Sequence, residues 1–107
     1  MVEVEIIEIV KKYLASLSRV GINAVKGVLF GSFARGDANE WSDIDLIVIA
    51  PEFNEEKTLA LVENLWLATK YADSRIEPIP CGVKEWEEDE DRPIIDIARR
   101  EGIIISI

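Results

Sequence analysis

Apolar residues recur along this chain in two rhythms, and the switches between them predict its elements. From about Val2 to Leu17 the apolar positions Ile6, Val10, Tyr13, Leu14 and Leu17 keep helical spacing, and Gly21 stands where a helix stop belongs. Ala24 to Phe30 is short, apolar and partly β-branched; it reads as a strand running straight into Gly31. A short helix is expected from Ser32, followed by a polar loop of turn-forming residues from Gly36 to Trp41. Ile44 to Ala50 is apolar on both alternating faces, the mark of a central strand covered by other elements, and Pro51 ends it.

Helical spacing returns from about Glu55 to Tyr71 in Leu59, Val62, Leu65, Trp66 and Thr69. Arg75 to Cys81 is extended. Pro78 and Pro80 leave one side of it without donors, which predicts a sheet border. Lys84 to Arg92 reads as a strongly acidic connector. Pro93 to Glu101 is then a short helix, with Asp91 and Pro93 as start signals and Gly102 as the stop. Ile103 to Ile107 closes the chain as a strand. This order predicts an α/β (α+β) sandwich, a small mixed β-sheet of about four strands with helices packed on it, in one domain over residues 1–107.

Composition narrows the chemistry. The 107 residues are 49% hydrophobic, enough for a core without disulfides or structural metal. Twelve Lys and Arg face 21 Asp and Glu, a formal net charge of -9, so binding of duplex nucleic acid, which rests on phosphate neutralisation, is not expected. Histidine is absent, which excludes it as base, nucleophile or zinc ligand. Cys81 is the lone cysteine and is expected to be a small buried hydrophobe. Any metal must therefore be held by oxygen, which selects magnesium, manganese or calcium. No basic segment leads into a long apolar run, and no stretch approaches the roughly 20 apolar residues of a membrane helix. A cytoplasmic setting without membrane attachment is expected.

Two local features carry chemistry. Gly31 and Ser32 sit where a strand enters a helix; glycine lets a ligand approach the backbone, and a helix start exposes unpaired N–H groups suited to phosphate. The same pair also suits an ordinary tight turn with a serine cap. No Gly-Lys-Ser/Thr ending follows, so this is not a P-loop. Asp43 and Asp45 lie two apart on a predicted strand and share a face. Two carboxylates that close repel unless a cation or donors lie between them, and Asp45 is flanked by Ile44 and Leu46. Magnesium bound by both carboxylates and by triphosphate oxygens resolves that cost; a strand-start cap at Asp43 with a hydrogen-bonded Asp45 is the structural alternative.

Together, Gly31-Ser32-Phe33-Ala34-Arg35-Gly36 and Ser42-Asp43-Ile44-Asp45-Leu46 within apolar strands resemble the signature of the DNA polymerase beta-like nucleotidyltransferase superfamily. The short length and the Ala98-Arg99-Arg100-Glu101-Gly102-Ile103 ending resemble its minimal nucleotidyltransferase branch, the MNT antitoxin type. The motif spans about Leu29 to Ile49, and the looser likeness in element order covers essentially the whole chain. The resemblance implies the nucleotidyltransferase fold and transfer of a nucleoside monophosphate, AMP from ATP or another triphosphate, with release of pyrophosphate. By matching positions it implies that Gly31 and Ser32 hold the triphosphate. It also implies that Asp43, Asp45 and a third carboxylate, matched to Glu77, bind two Mg2+ ions, with Mn2+ as a substitute. A macromolecular acceptor follows from the same likeness, a HEPN-type partner protein neutralised by the transfer.

The remaining candidates are read from the residues. Arg35 is placed to reach a phosphate, or simply faces water. Trp41, just before the acidic pair, stacks on a base or, more simply, packs and anchors its loop. Glu85, Glu87, Glu88, Asp89, Glu90 and Asp91 form a hydrated linker or a strip for a basic partner. The alternative to an enzyme is an interaction protein of the same fold that neutralises a partner by binding alone.

Overall fold

The structure is a computed structural model that describes residues 3–88 and 91–107. Its first helix, α1 (Val4–Ser16), buries Ile6, Val10, Tyr13 and Leu14, the positions that the periodicity selects. A 3-10 turn, Leu17–Val20, extends it to Gly21, which adopts the left-handed conformation that ends the element. Val2 of the predicted helix lies outside the described residues.

Strand β1 (Lys26–Phe30) feeds Gly31 and the single-turn helix α2 (Ser32–Arg35), and the chain returns as β2 (Ile44–Ile49). A second long helix, α3 (Leu59–Thr69), begins later than the predicted Glu55. The Thr58 side chain accepts the Leu61 N–H, and Glu55, Glu56 and Lys57 are exposed residues that no core face draws in. Strand β3 (Ile76–Cys81) follows, then α4 (Val83–Glu88), α5 (Pro93–Glu101) and β4 (Ile103–Ser106).

The sheet is mixed and four-stranded, in the order β3-β2-β1-β4. β1 is antiparallel to both β2 and β4, while β2 and β3 run parallel, the connection that α3 makes possible. β3 is an edge strand, as its two prolines predict. Its Arg75 and Cys81 carbonyls accept from Ile44 and Ala50 on the β2 side. Even-numbered Pro78 and Pro80 therefore turn their missing donors to the free edge, which blunts pairing with another strand.

The central strand is covered on both faces. On one, Leu46 and Val48 pack with α1, α3 and β1 through Tyr13, Leu14, Leu29 and Leu65. The buried Tyr13 hydroxyl donates to the Leu65 carbonyl (2.7 Å), tying α1 to α3. On the other face, Ile47 and Ile49 pack beneath Trp86 of α4 and Ile95 and Ala98 of α5. Each such buried aliphatic side chain contributes about 1.5–3 kcal/mol.

The expected hydrated connector is corrected here. Val83 and Trp86, one turn apart, close over the sheet, so residues 83–88 form a helix rather than a solvated strip. Arg99 of α5 donates to the Trp86 and Glu85 carbonyls (2.7 and 3.0 Å) and stacks on the indole at 5.8 Å. Glu85 is not hydrated charge either: it pairs with Lys57 and with Arg92 (2.8 Å). Asp89 and Glu90 of the predicted run lie outside the described residues. Cys81 is fully buried, as expected of a small hydrophobe, and burial pushes its thiol up to about 11.

Candidate active site

The uncovered end of the sheet face beneath α4 and α5 is where the sequence motifs meet. β1 delivers Gly31 with φ 72 and ψ -151, a conformation essentially reserved for glycine. An ideal Cβ at that position would stand 2.3 Å from Asp45 Oδ2, so the absence of a side chain is what lets the turn lie against the carboxylate. Gly31, not Ser32, is the N-cap of α2, and no side chain caps it; the serine-cap alternative does not describe this turn. The first helical bonds run from Ala34 and Arg35 to the Gly31 carbonyl (3.1 Å each), which leaves the N–H groups of Ser32 and Phe33 ahead of them.

Asp45 sits opposite Phe30 on β1 and opposite Glu77 on β3. Odd-numbered positions of β2 and β3 share the face of Ile47, Ile49 and Cys81, so Asp45 and Glu77 point the same way. Asp43 lies one residue before β2 rather than within it, and still bears on both. Partial burial raises the Asp45 carboxyl above its ordinary range, and repulsion from Asp43 adds to this; a hydrogen bond with Glu77 and the Arg35 charge oppose it. Glu77 is raised as well, by desolvation first, then by Asp43 and Asp45, each also in hydrogen-bonding contact with it. Three acidic groups, two on neighbouring strands and one just before β2, thus crowd one position and repel one another.

Arg35 projects from α2 into solvent, paired loosely with Asp37 (3.3 Å), close enough for its charge to act on Asp45. Trp41 is not packed: it is 85% exposed, which corrects the expectation of a packing side chain. Its loop is held by backbone instead, with the Trp41 N–H donating to Asn39 Oδ1 (2.8 Å) and the Asn39 N–H to Ser42 Oγ (2.9 Å). Arg75 is a residue the sequence reading overlooked. It forms a bidentate pair with Asp73 and stacks on Phe33 of α2 at 6.0 Å, bracing the glycine turn against the start of β3. Phe33 and Arg75, with Glu5, Asn39 and Glu40, border a cleft of about 340 Å³ beside α2.

The donor set at the crowded position consists of carboxylate oxygens, which suits a hard divalent cation and little else. Among the described residues no three acidic or thiol groups already surround a common ion position; in this structure Glu77 instead makes hydrogen-bonding contact with Asp43 and Asp45. Concentrated negative charge, oxygen donors and the space left by Gly31 nevertheless fit a cation with a triphosphate beside it.

Comparison with known proteins gives the class. The profile of the nucleotidyltransferase domain matches residues 7–105, and the chain belongs to that family. It is a nucleotidyltransferase, a class that works on a nucleoside triphosphate with a divalent metal. Over 79 residues it is 34% identical to a "putative protein adenylyltransferase" of Methanocaldococcus jannaschii, covering 70% of this chain and 78% of the relative. A solved structure described as a "putative nucleotidyltransferase from Sulfolobus solfataricus" shares the fold with a TM-score of 0.63 at 15% identity, over 94% of this chain and 79% of that one. Among the described residues no helix is long and apolar enough to cross a membrane.

Proposed function

We propose that this chain, acting as a single domain, transfers AMP from ATP to a hydroxyl of a macromolecular acceptor in the cytoplasm. The acceptor is a HEPN-type partner protein, for which the chain is the antitoxin of the minimal nucleotidyltransferase kind. The observation that carries this reading is the crowding of Asp43, Asp45 and Glu77 at one position, with Asp45 against the bare Cα of Gly31. The likeness to a protein named as an adenylyltransferase of proteins supports the choice of AMP and of a protein acceptor.

In this reading Gly31 and Ser32 seat the β- and γ-phosphates with backbone N–H groups and the serine hydroxyl, and Arg35 adds a positive charge at the rim. Asp43, Asp45 and Glu77 would hold two Mg2+ ions, which Mn2+ can replace; when bound, these neutralise phosphate oxygens and steady the leaving group. The acceptor oxygen attacks the α-phosphorus, the bond to the bridging β-phosphate oxygen breaks, and pyrophosphate departs. Glu77 accepts the hydroxyl proton as the acceptor oxygen attacks. Everything else the chain contributes is placement of the two reactants.

The test is transfer of α-labelled ATP to the partner that co-purifies with the chain, with magnesium present. Label on the partner that is lost in Asp43→Asn, while the complex survives, supports the reading. A wild-type protein that transfers no label under either magnesium or manganese, yet still binds its partner, replaces it with neutralisation by binding.

A further inference from the structure

The single turn α2 has little of its own to hold it. None of its four residues is fully buried, and no side chain caps Gly31 ahead of them. A helix of one turn is not stable by itself and takes its place from what it packs on. Phe33 supplies that contact: it packs, partly buried, against the core that holds Ile6 and Tyr13 of α1. Over its ring, at 6.0 Å, stands the Arg75 guanidinium.

Arg75 is itself held from two positions away. Asp73 accepts from the Arg75 backbone N–H (2.9 Å) and Nε (3.0 Å) through one carboxylate oxygen, and from Nη2 (2.8 Å) through the other. A two-pronged pair of this kind fixes the plane of the guanidinium, which a lysine ammonium cannot reproduce. The Arg75 carbonyl meanwhile accepts the Ile44 N–H (2.8 Å), and Ile44 is the residue between Asp43 and Asp45. One residue therefore touches both halves of the site. Its carbonyl fixes the start of β2, where the acidic pair is set, and its guanidinium steadies the helix that follows Gly31. Its charge is answered by Asp73, with Glu5 and Glu3 adding to the attraction, which suits a fastening better than a phosphate ligand.

We infer that Asp73 and Arg75 are positioning residues, which hold Phe33, and with it the Gly31 turn, in place against the acidic start of β2. The inference rests on the proposed reading that turn and carboxylates share one nucleotide. A misplacement of about 1 Å between two such halves costs up to about a hundredfold in rate, so the brace matters although it touches neither reactant.

Titration calorimetry of magnesium-ATP into the full chain tests this, with urea unfolding on the same preparations. Asp73→Asn, Arg75→Lys and Phe33→Leu are each expected to weaken binding about tenfold while the unfolding midpoint stays near that of the wild type, since each keeps most of the side-chain volume. Asp73→Asn combined with Phe33→Leu should weaken it no further than the worse single change, because both break the same link. Wild-type affinity in Asp73→Asn and Arg75→Lys overturns the inference, and if Asp43→Asn abolishes binding in the same series the reading of the site stands without it. Tighter binding in Asp73→Asn with weaker binding in Arg75→Lys overturns it as well, making Arg75 a ligand of the phosphates. So do strictly additive losses in the double variant. A wild-type chain that binds no magnesium-ATP removes the proposed site and the inference together.

Discussion

Asp45 and Glu77 are register partners across the parallel β2–β3 pair, with side chains on the same face of the sheet. Neighbouring strands lie about 4.8 Å apart, so two carboxylates in this relation repel unless a proton or a cation joins them. Both are raised above the ordinary carboxylate range, which means that the folded chain retains protons the unfolded chain has already released. Stability then falls as pH rises from about 4 through the raised values. In metal-free buffer, Asp45→Asn and Glu77→Gln are expected to raise the melting temperature at neutral pH and to flatten this fall. The same variants are expected to lose about a hundredfold or more in nucleotide transfer, and to lack the stabilisation by magnesium expected of the wild type. Melting curves with and without magnesium, beside label transfer, check all three.

The glycine turn makes a second prediction. Gly31→Ala has to adopt φ 72 with ψ -151 and to seat a Cβ against Asp45 Oδ2. Gly36, at φ 82 and ψ 15, is left-handed too, but nothing lies within 4 Å of the Cβ it lacks. Gly31→Ala should therefore cost about 2–4 kcal/mol in urea unfolding and abolish transfer, whereas Gly36→Ala should cost about 1 kcal/mol and stay active. Equal costs at the two positions would show that the contact with Asp45 contributes nothing.

The acidic stretch after β3 behaves as a fastening rather than as solvated charge. Glu85 accepts from Lys57, from Arg92 and from the Gly82 N–H, so although partial burial alone would raise its carboxyl, the net displacement is downward. The unfolded chain therefore takes up the proton first as pH falls. The stability that Glu85 supplies is complete above its ordinary value of about 4.3 and disappears as pH drops through the lowered one. Glu85→Gln is expected to cost about 1–2 kcal/mol at neutral pH and to make the acid limb of the stability curve shallower, measured by urea unfolding across the acid range.

How much of this was legible in the sequence follows from the range of the interactions. β1, β2 and the positions of Gly31 and Asp45 could be read because the signals are local: apolar runs, a glycine at a strand end, a carboxylate within a strand. The edge position of β3 was legible from Pro78 and Pro80. α4 was not, since a single buried Trp86 within a run of acids carries its inward face, and the groups that neutralise Glu85 come from Lys57 and Arg92, distant elements. Arg75 was missed for the same reason: its meaning lies in Phe33, which only the fold brings beside it.

The two tryptophans near the ends of the site should part company. Trp86 is buried, covers Ile47 and Ile49 with α5, and carries Lys26 and Arg99 over its ring at 5.9 and 5.8 Å. Trp41 is exposed beside Asp43, with its loop held through backbone bonds that survive loss of the indole. Trp86→Ala is expected to cost about 3–5 kcal/mol, a cavity plus two lost cation contacts, and Trp41→Ala within about 0.5 kcal/mol of nothing. If the Trp41 indole serves a base, its loss should raise the KM for ATP while leaving kcat near wild type, since a contact made equally in ground and transition states changes binding alone. An unchanged KM in a fully folded Trp41→Ala protein would remove the indole from the nucleotide site, and steady-state kinetics on the same preparation used for unfolding decides between these outcomes.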